Sequence, residues 1–159
     1  MPITMKEVRA WLDPEEVDYP KAKKMGAAAL PFLMELAQGG DLGLASKATY
    51  LASLIKSKKS AEILEAAVAR NEPVLKAAAA SGIRNLPGAQ AERLFDLLKN
   101  DSDAGIRKVT VQSAFRVKSP RVAAKLQQVA ENDPEPFVRE LAASTVKKIK
   151  SKKKTPLKR

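Results

Sequence analysis

The chain has no cysteine and no histidine. The first absence excludes a disulfide framework and a thiol nucleophile. Both together exclude Cys/His zinc sites, a histidine general base and the Ser-His and Cys-His arrangements. No apolar run approaches the roughly 20 residues that a membrane-spanning helix needs. The opening MPITMKEVRAWLDPEE carries acidic residues where a signal peptide needs an apolar centre. These features predict a cytoplasmic chain without a membrane span. Strand-like alternation bounded by turn residues is also missing, which predicts an all-helical fold. Finally, the C-terminal stretch lacks acids: residues 147–159, KKIKSKKKTPLKR, hold eight basic side chains and no carboxylate. Subtracting those eight from the 29 Lys and Arg leaves 21 against 18 Asp and Glu, so residues 1–146 carry +3 of the overall +11. The charge is concentrated in a terminal segment expected to extend past the last helix as a tail.

What is present suffices for a packed core. The 159 residues are 45% hydrophobic, enough for one domain. Thr4 and Glu7 have capping-box spacing and predict a short helix over 4–12. Pro14 and Pro20 bracket a polar connection. From Lys21 the residues Met25, Ala28, Ala29, Phe32, Leu33 and Leu36 recur at helical spacing, with a kink expected at Pro31 or a fresh start near Leu30. Gly39-Gly40 ends that helix, and Asp41 is placed to cap the next, over 42–56. Ser60 is expected to cap a helix through Arg70, and Glu72-Pro73 to open another through Arg84. The NLPG break at 85–88 precedes helices over 90–99 and 104–118. Ser119-Pro120 and Asp133-Pro134 open the last two, to about Glu131 and Lys150. Short connections make successive helices antiparallel neighbours.

A repeat runs through these helices. DSDAGIRKVTVQSA (101–114) and DPEPFVRELAASTV (133–146) each place an Asp six residues before Arg107 or Arg139. Aligning the basic residue gives Lys47, Lys76, Arg107 and Arg139, at separations of 29, 31 and 32. Small or apolar residues dominate three, four and seven positions later. Asp41, Arg70, Asp101 and Asp133 stand six positions earlier. Paired amphipathic helices of this length cannot bury their own apolar faces, and stacking them in register builds a continuous core.

The chain resembles the HEAT repeat family, especially the short bacterial and archaeal, PBS-lyase-type repeats with DPEVR-like second-helix starts. The likeness covers about 20–150 and is strongest at 101–107 and 133–139. It implies an all-α, right-handed α-solenoid of about four antiparallel helix pairs, at about 20–56, 60–85, 89–118 and 119–150, plus the N-terminal helix. The solenoid would span 1–150, with a basic tail at 151–159. The resemblance also implies that second helices line a concave face. Asp41, Asp101 and Asp133 would form an inter-repeat ladder with Lys47, Lys76, Arg107 and Arg139, with Arg70 as the departure.

The candidate binding residues lie one, five, eight and nine positions past the aligned base, a column expected to point outward. They are Lys56, Arg84, Lys108, Gln112, Phe115, Arg116, Lys147 and Lys148, the third repeat being richest; Ala48, Ala52 and Ile55 fill the same column in the first. The competing account of Lys56, Arg84, Arg116 and Lys148 is that cations favour helix C-termini. Trp11 is expected to pack the N-terminal helix over the first pair. The expected function is a non-catalytic, monomeric scaffold, without cofactor or metal, holding a protein partner on the concave face. The alternative is nucleic-acid binding through the tail and the cation row. A DNA-glycosylase-like enzyme is disfavoured: Asp13, Asp18 and Glu35 are scattered, and no inner-face Trp and Asp set is present.

Overall fold

The computed structural model describes residues 2–154, and no strand occurs among them. The helices are α1 (Met5–Leu12), α2 (Tyr19–Ala22), α3 (Leu30–Ala37), α4 (Leu42–Leu54), α5 (Ser60–Ala69), α6 (Pro73–Gly82), α7 (Gly88–Leu98), α8 (Ala104–Ala114), α9 (Pro120–Asn132) and α10 (Pro136–Lys154). A 3₁₀ segment, Lys23–Ala29, links α2 to α3, and another, Ile83–Asn85, follows α6.

Local chemistry sets most starts. Thr4 Oγ1 accepts from the Glu7 amide at 3.2 Å, Asp41 Oδ1 from Leu44 at 3.0 Å and Ser119 Oγ from Val122 at 3.4 Å. Each satisfies an amide that the first helical turn leaves without a partner.

Several expected boundaries are corrected. The fresh start near Leu30 is found, since α3 begins there, but the chain already breaks helical geometry at Gly26, whose φ of 72° only glycine adopts without strain. Pro31 sits in the first turn of α3, where its missing amide costs nothing. Ser60 is not a cap: Lys59 holds that position without a side-chain bond, and the Ser60 hydroxyl donates to the Ile55 carbonyl. Asp103, for which no role was expected, caps α8 and accepts from the Gly105 amide at 2.7 Å. That helix ends at Ala114, so Phe115 to Lys118 lie beyond it. Helix α10 starts at Pro136 and continues to Lys154, into the segment expected as a tail; residues 155–159 of that tail lie outside the described residues.

Packing is sequence-local. From α3 onward each helix packs on the next and the next but one, and extensive contact goes no further along the chain. One core runs from Val8 and Leu12 through Leu33, Leu51, Leu64, Ile83, Leu94, Phe95 and Leu98 to Leu126 and Val146. Helix α1 packs on α3 and α4, with Trp11 half-buried against that core. Helices α4 and α6 approach closely at Gly82, where an added Cβ would stand 2.8 Å from Ser53 Cβ and 3.0 Å from Leu64 Cδ2.

Candidate functional site

Two edges of the molecule carry opposite charge chemistry. At the first, the aligned basic residues reach the acids of the following helix pair. Lys76 Nζ donates to Asp101 Oδ1 at 2.8 Å and to Asn71 Oδ1 at 3.0 Å. Arg107 grips Asp133 with two prongs, Nε to Oδ2 at 2.9 Å and Nη2 to Oδ1 at 3.2 Å, while its Nη1 donates to the Asp101 carbonyl at 2.7 Å. Arg107 and Asp133 are each 7% exposed, so this pair is desolvated and its geometry matters. Burial pushes the Asp101 carboxyl up, but hydrogen bonds from Lys76 and the Asp103 amide, with the charges of Lys76 and Arg107, outweigh it and hold it below its ordinary value. The Asp133 carboxylate fixes the Arg107 guanidinium in its charged form.

The expected ladder fails at both ends. Lys47 turns back to the Leu12 and Pro14 carbonyls, at 3.1 and 2.8 Å. Arg70, standing where an acid was the rule, donates to the Ala37 and Gly39 carbonyls at 2.9 and 2.6 Å, closing the end of α3. Asp41 caps α4, and Arg139 donates to the Asp133 carbonyl at 2.6 Å. A second, unforeseen ladder joins the first helices of the pairs. Arg93 pairs with Glu65, and Lys125 bridges Asp96 at 2.6 Å and Glu92 at 3.0 Å. Burial raises the Asp96 carboxyl, and the Lys125 and Lys99 ammonium groups more than reverse this. Many of the carboxylates are thereby consumed away from the opposite edge.

That opposite edge gathers the ends of α4, α6 and α8 with the starts of α5, α7 and α9. Asn85 Nδ2 donates to Ser53 Oγ at 3.0 Å, Arg84 Nη2 to Ser113 Oγ at 3.4 Å and Gln90 Nε2 to the Ser57 carbonyl at 3.4 Å. Gly88 lies against Lys118 and Ser119, and Lys152 Nζ stands 5.4 Å above the Phe115 ring. Exposed along this edge are Lys56, Lys58, Lys59, Arg84, Arg116, Lys118 and Arg121. Glu62 is the acid in the first turns of α5, α7 and α9.

The structure divides these cations into two kinds. Lys56, Arg84 and Arg116 follow helix C-termini, where the backbone dipole favours positive charge. Lys58 and Lys59 precede α5, Lys118 precedes the α9 cap, and Arg121 lies in the first turn of α9. Those are N-terminal positions, which the dipole makes unfavourable for a cation by roughly 0.3–1 kcal/mol each. Lys148 is not terminal either, because α10 runs past it.

Of the residues singled out in the sequence, Lys56, Arg84, Phe115 and Arg116 meet at this edge. Lys108 and Gln112 are exposed on the body of α8, and Lys147 and Lys148 on α10; Phe115 is half-buried. The outward column fails in α4, where Ala48 and Ala52 are fully buried and Ile55 is 5% exposed. Ala48 and Ala52 stand on the same side of α4 as Leu44 and Leu51, the side that enters the core. Lys58, Lys59 and Lys118 lie between helices and Arg121 in the first turn of α9, outside the column that the repeat singled out; the signal for the three lysines was their placing just before helix starts in KSKKS and VKSP.

Beside this edge is a depression of about 450 Å³, lined by Tyr19, Ser46, Tyr50, Val74, Ala77, Ala78, Ser81 and Arg84. Alanine and serine on α6 leave it hollow. The two tyrosine rings form one wall, edge to face at 5.0 Å and 74°. Burial, and after it the neighbouring Tyr50, push the Tyr19 hydroxyl up, so it remains a protonated donor. Arg84 is held at its other end by Nε to the Ser81 carbonyl at 3.1 Å.

Among the described residues no group of three or more Asp and Glu is placed to hold a metal ion, and no helix is long and apolar enough to cross a membrane. No protein-family model, curated protein or solved structure matches this chain at a significant level.

Proposed function

We propose that this chain is a HEAT-like α-solenoid that binds nucleic acid by its phosphate backbone, without catalysis. The extensive contacts of each helix from α3 onward with its next two neighbours, and the Lys76–Asp101 and Arg107–Asp133 rungs, support the stacked-pair architecture. The binding reading rests above all on cations standing where folding does not want them: Lys58, Lys59 and Lys118 beside helix N-termini. Stability alone favours Asp or Glu there. Arg121, in the first turn of α9, differs from these three in already facing Glu92 at 3.9 Å. A phosphate backbone supplies the compensating charge and releases its counterions on contact. Lys147 and Lys148 are further exposed cations on α10.

A protein partner held on the second-helix face has less support. The large apolar side chains most exposed among the described residues are three, Val74, Leu97 and Phe137, on three different helices, 44%, 51% and 45% exposed, few for an anchor of a protein interface.

The test is a mobility shift with fluorescent oligonucleotides over a salt series. Affinity should fall steeply as salt rises, and substituting Lys58, Lys59 and Lys118 with Gln should flatten that dependence. Absence of any shift at low salt ends the proposal.

A further inference from the structure

We infer that the Tyr19–Tyr50 depression receives an unpaired nucleobase of a strand whose phosphates follow the cationic edge, which makes single-stranded nucleic acid the preferred ligand. The inference rests on the phosphate-binding reading and adds the strand form. Arg84 is the link. It belongs to the edge, and it also lines the depression, with its guanidinium tied to the Ser81 carbonyl and to Ser113 Oγ. A phosphate at Arg84 places the attached base over the hollow made by Ala77, Ala78 and Ser81, facing the tyrosine wall. The volume of about 450 Å³ admits a flat heterocycle, and Ser46, Ser81 and the tyrosine hydroxyls supply polar groups for its edge. A cationic track joined to an aromatic face is the combination that holds single strands, because every base offers a π-face. A duplex keeps its bases stacked inside and cannot fill the depression. The other aromatic near the edge is not free for this work, since Lys152 covers Phe115.

The full chain is titrated with single-stranded and duplex DNA of about 12 nucleotides, within the site sizes of such surfaces, with heparin as a polyanion without bases and polyglutamate as an acidic peptide. The expected order is single strand tighter than duplex or heparin. Tyr50→Ala should weaken single-strand binding about fivefold to a hundredfold, the worth of one base stack. It should leave duplex affinity and the salt dependence unchanged, and Tyr50→Phe should keep the preference. Ala78→Leu fills the hollow without removing a packed ring, so it should reproduce the loss if Tyr50→Ala disturbs folding. Equal or tighter duplex binding, or a preference that survives both variants, overturns the inference while leaving the phosphate-binding reading intact. Binding of polyglutamate that depends on Tyr50, with single-strand binding that does not, overturns it in favour of an acidic peptide. Failure to bind any polyanion at low salt removes the underlying reading and the inference with it.

Discussion

Replacing Arg107 with Met keeps most of the apolar stem and removes the guanidinium that joins the last two helix pairs. Four hydrogen bonds go with it: both prongs on Asp133, at 2.9 and 3.2 Å, and those of Nη1 to the Asp101 and Ser102 carbonyls, at 2.7 and 3.4 Å. Asp133 is 7% exposed and keeps only the Glu135 amide at 2.9 Å, so a carboxylate is left buried without its counter-charge. Breaking one side of such a pair costs about 3–5 kcal/mol. A chain of this size has roughly 8–24 kcal/mol in all. The expected fall in thermal midpoint is about 6–20 °C, read by circular dichroism with urea midpoints alongside. The charge explanation has a sharper signature. Asp133→Asn should destabilise the parent but restore stability to Arg107→Met, because there it removes the orphaned charge. Arg107→Lys should fall between, keeping the charge but losing the fork. A cost for Arg107→Met below about 1 kcal/mol, or additive losses in the double variant, would refute the reasoning.

Two further outcomes follow from the packing and the charges. Gly82→Ala should destabilise by about 1–3 kcal/mol despite the better helix propensity of alanine, because its Cβ meets Ser53 at 2.8 Å; an unchanged or raised urea midpoint contradicts this. Asp101 has a carboxyl held below its ordinary value in the fold, so the unfolded chain binds the extra proton first as pH falls. Its stabilisation is complete above the unfolded value of about 4 and is lost as pH drops through the lower folded value. The stability gap between the parent and Asp101→Asn should therefore be constant near neutrality and close in acid; a gap independent of pH is the contrary result.

The helices were legible because their signals are local. Capping oxygens at Thr4, Asp41 and Ser119, first-turn prolines and three-four spacing do not need the rest of the chain to act. The Lys76–Asp101 and Arg107–Asp133 rungs were legible too, since a repeat carries its register in its spacing. The failures arose where the third dimension intervened. Ala48 and Ala52 read as outward by the register of the repeat, but they join Leu44 and Leu51 in the core. Tyr50 read as core, yet the small residues of α6 leave its ring lining a hollow. Arg70 read as a missing rung, whereas it reaches back to the end of α3. Periodicity gives direction around a helix axis; what stands opposite is decided by elements far along the chain.

The most direct measurement is the salt dependence of oligonucleotide binding by the parent and by the variant with Lys58, Lys59 and Lys118 all changed to Gln, with a thermal melt of each. For a single strand, loss of three phosphate contacts should reduce the slope of log affinity against log salt by about 2. The same variant should melt no lower than the parent, and a little higher at low salt, because three cations have left helix N-termini. An unchanged slope, or a variant that unfolds more easily, would mean these cations serve the fold rather than a ligand, and the account would be wrong.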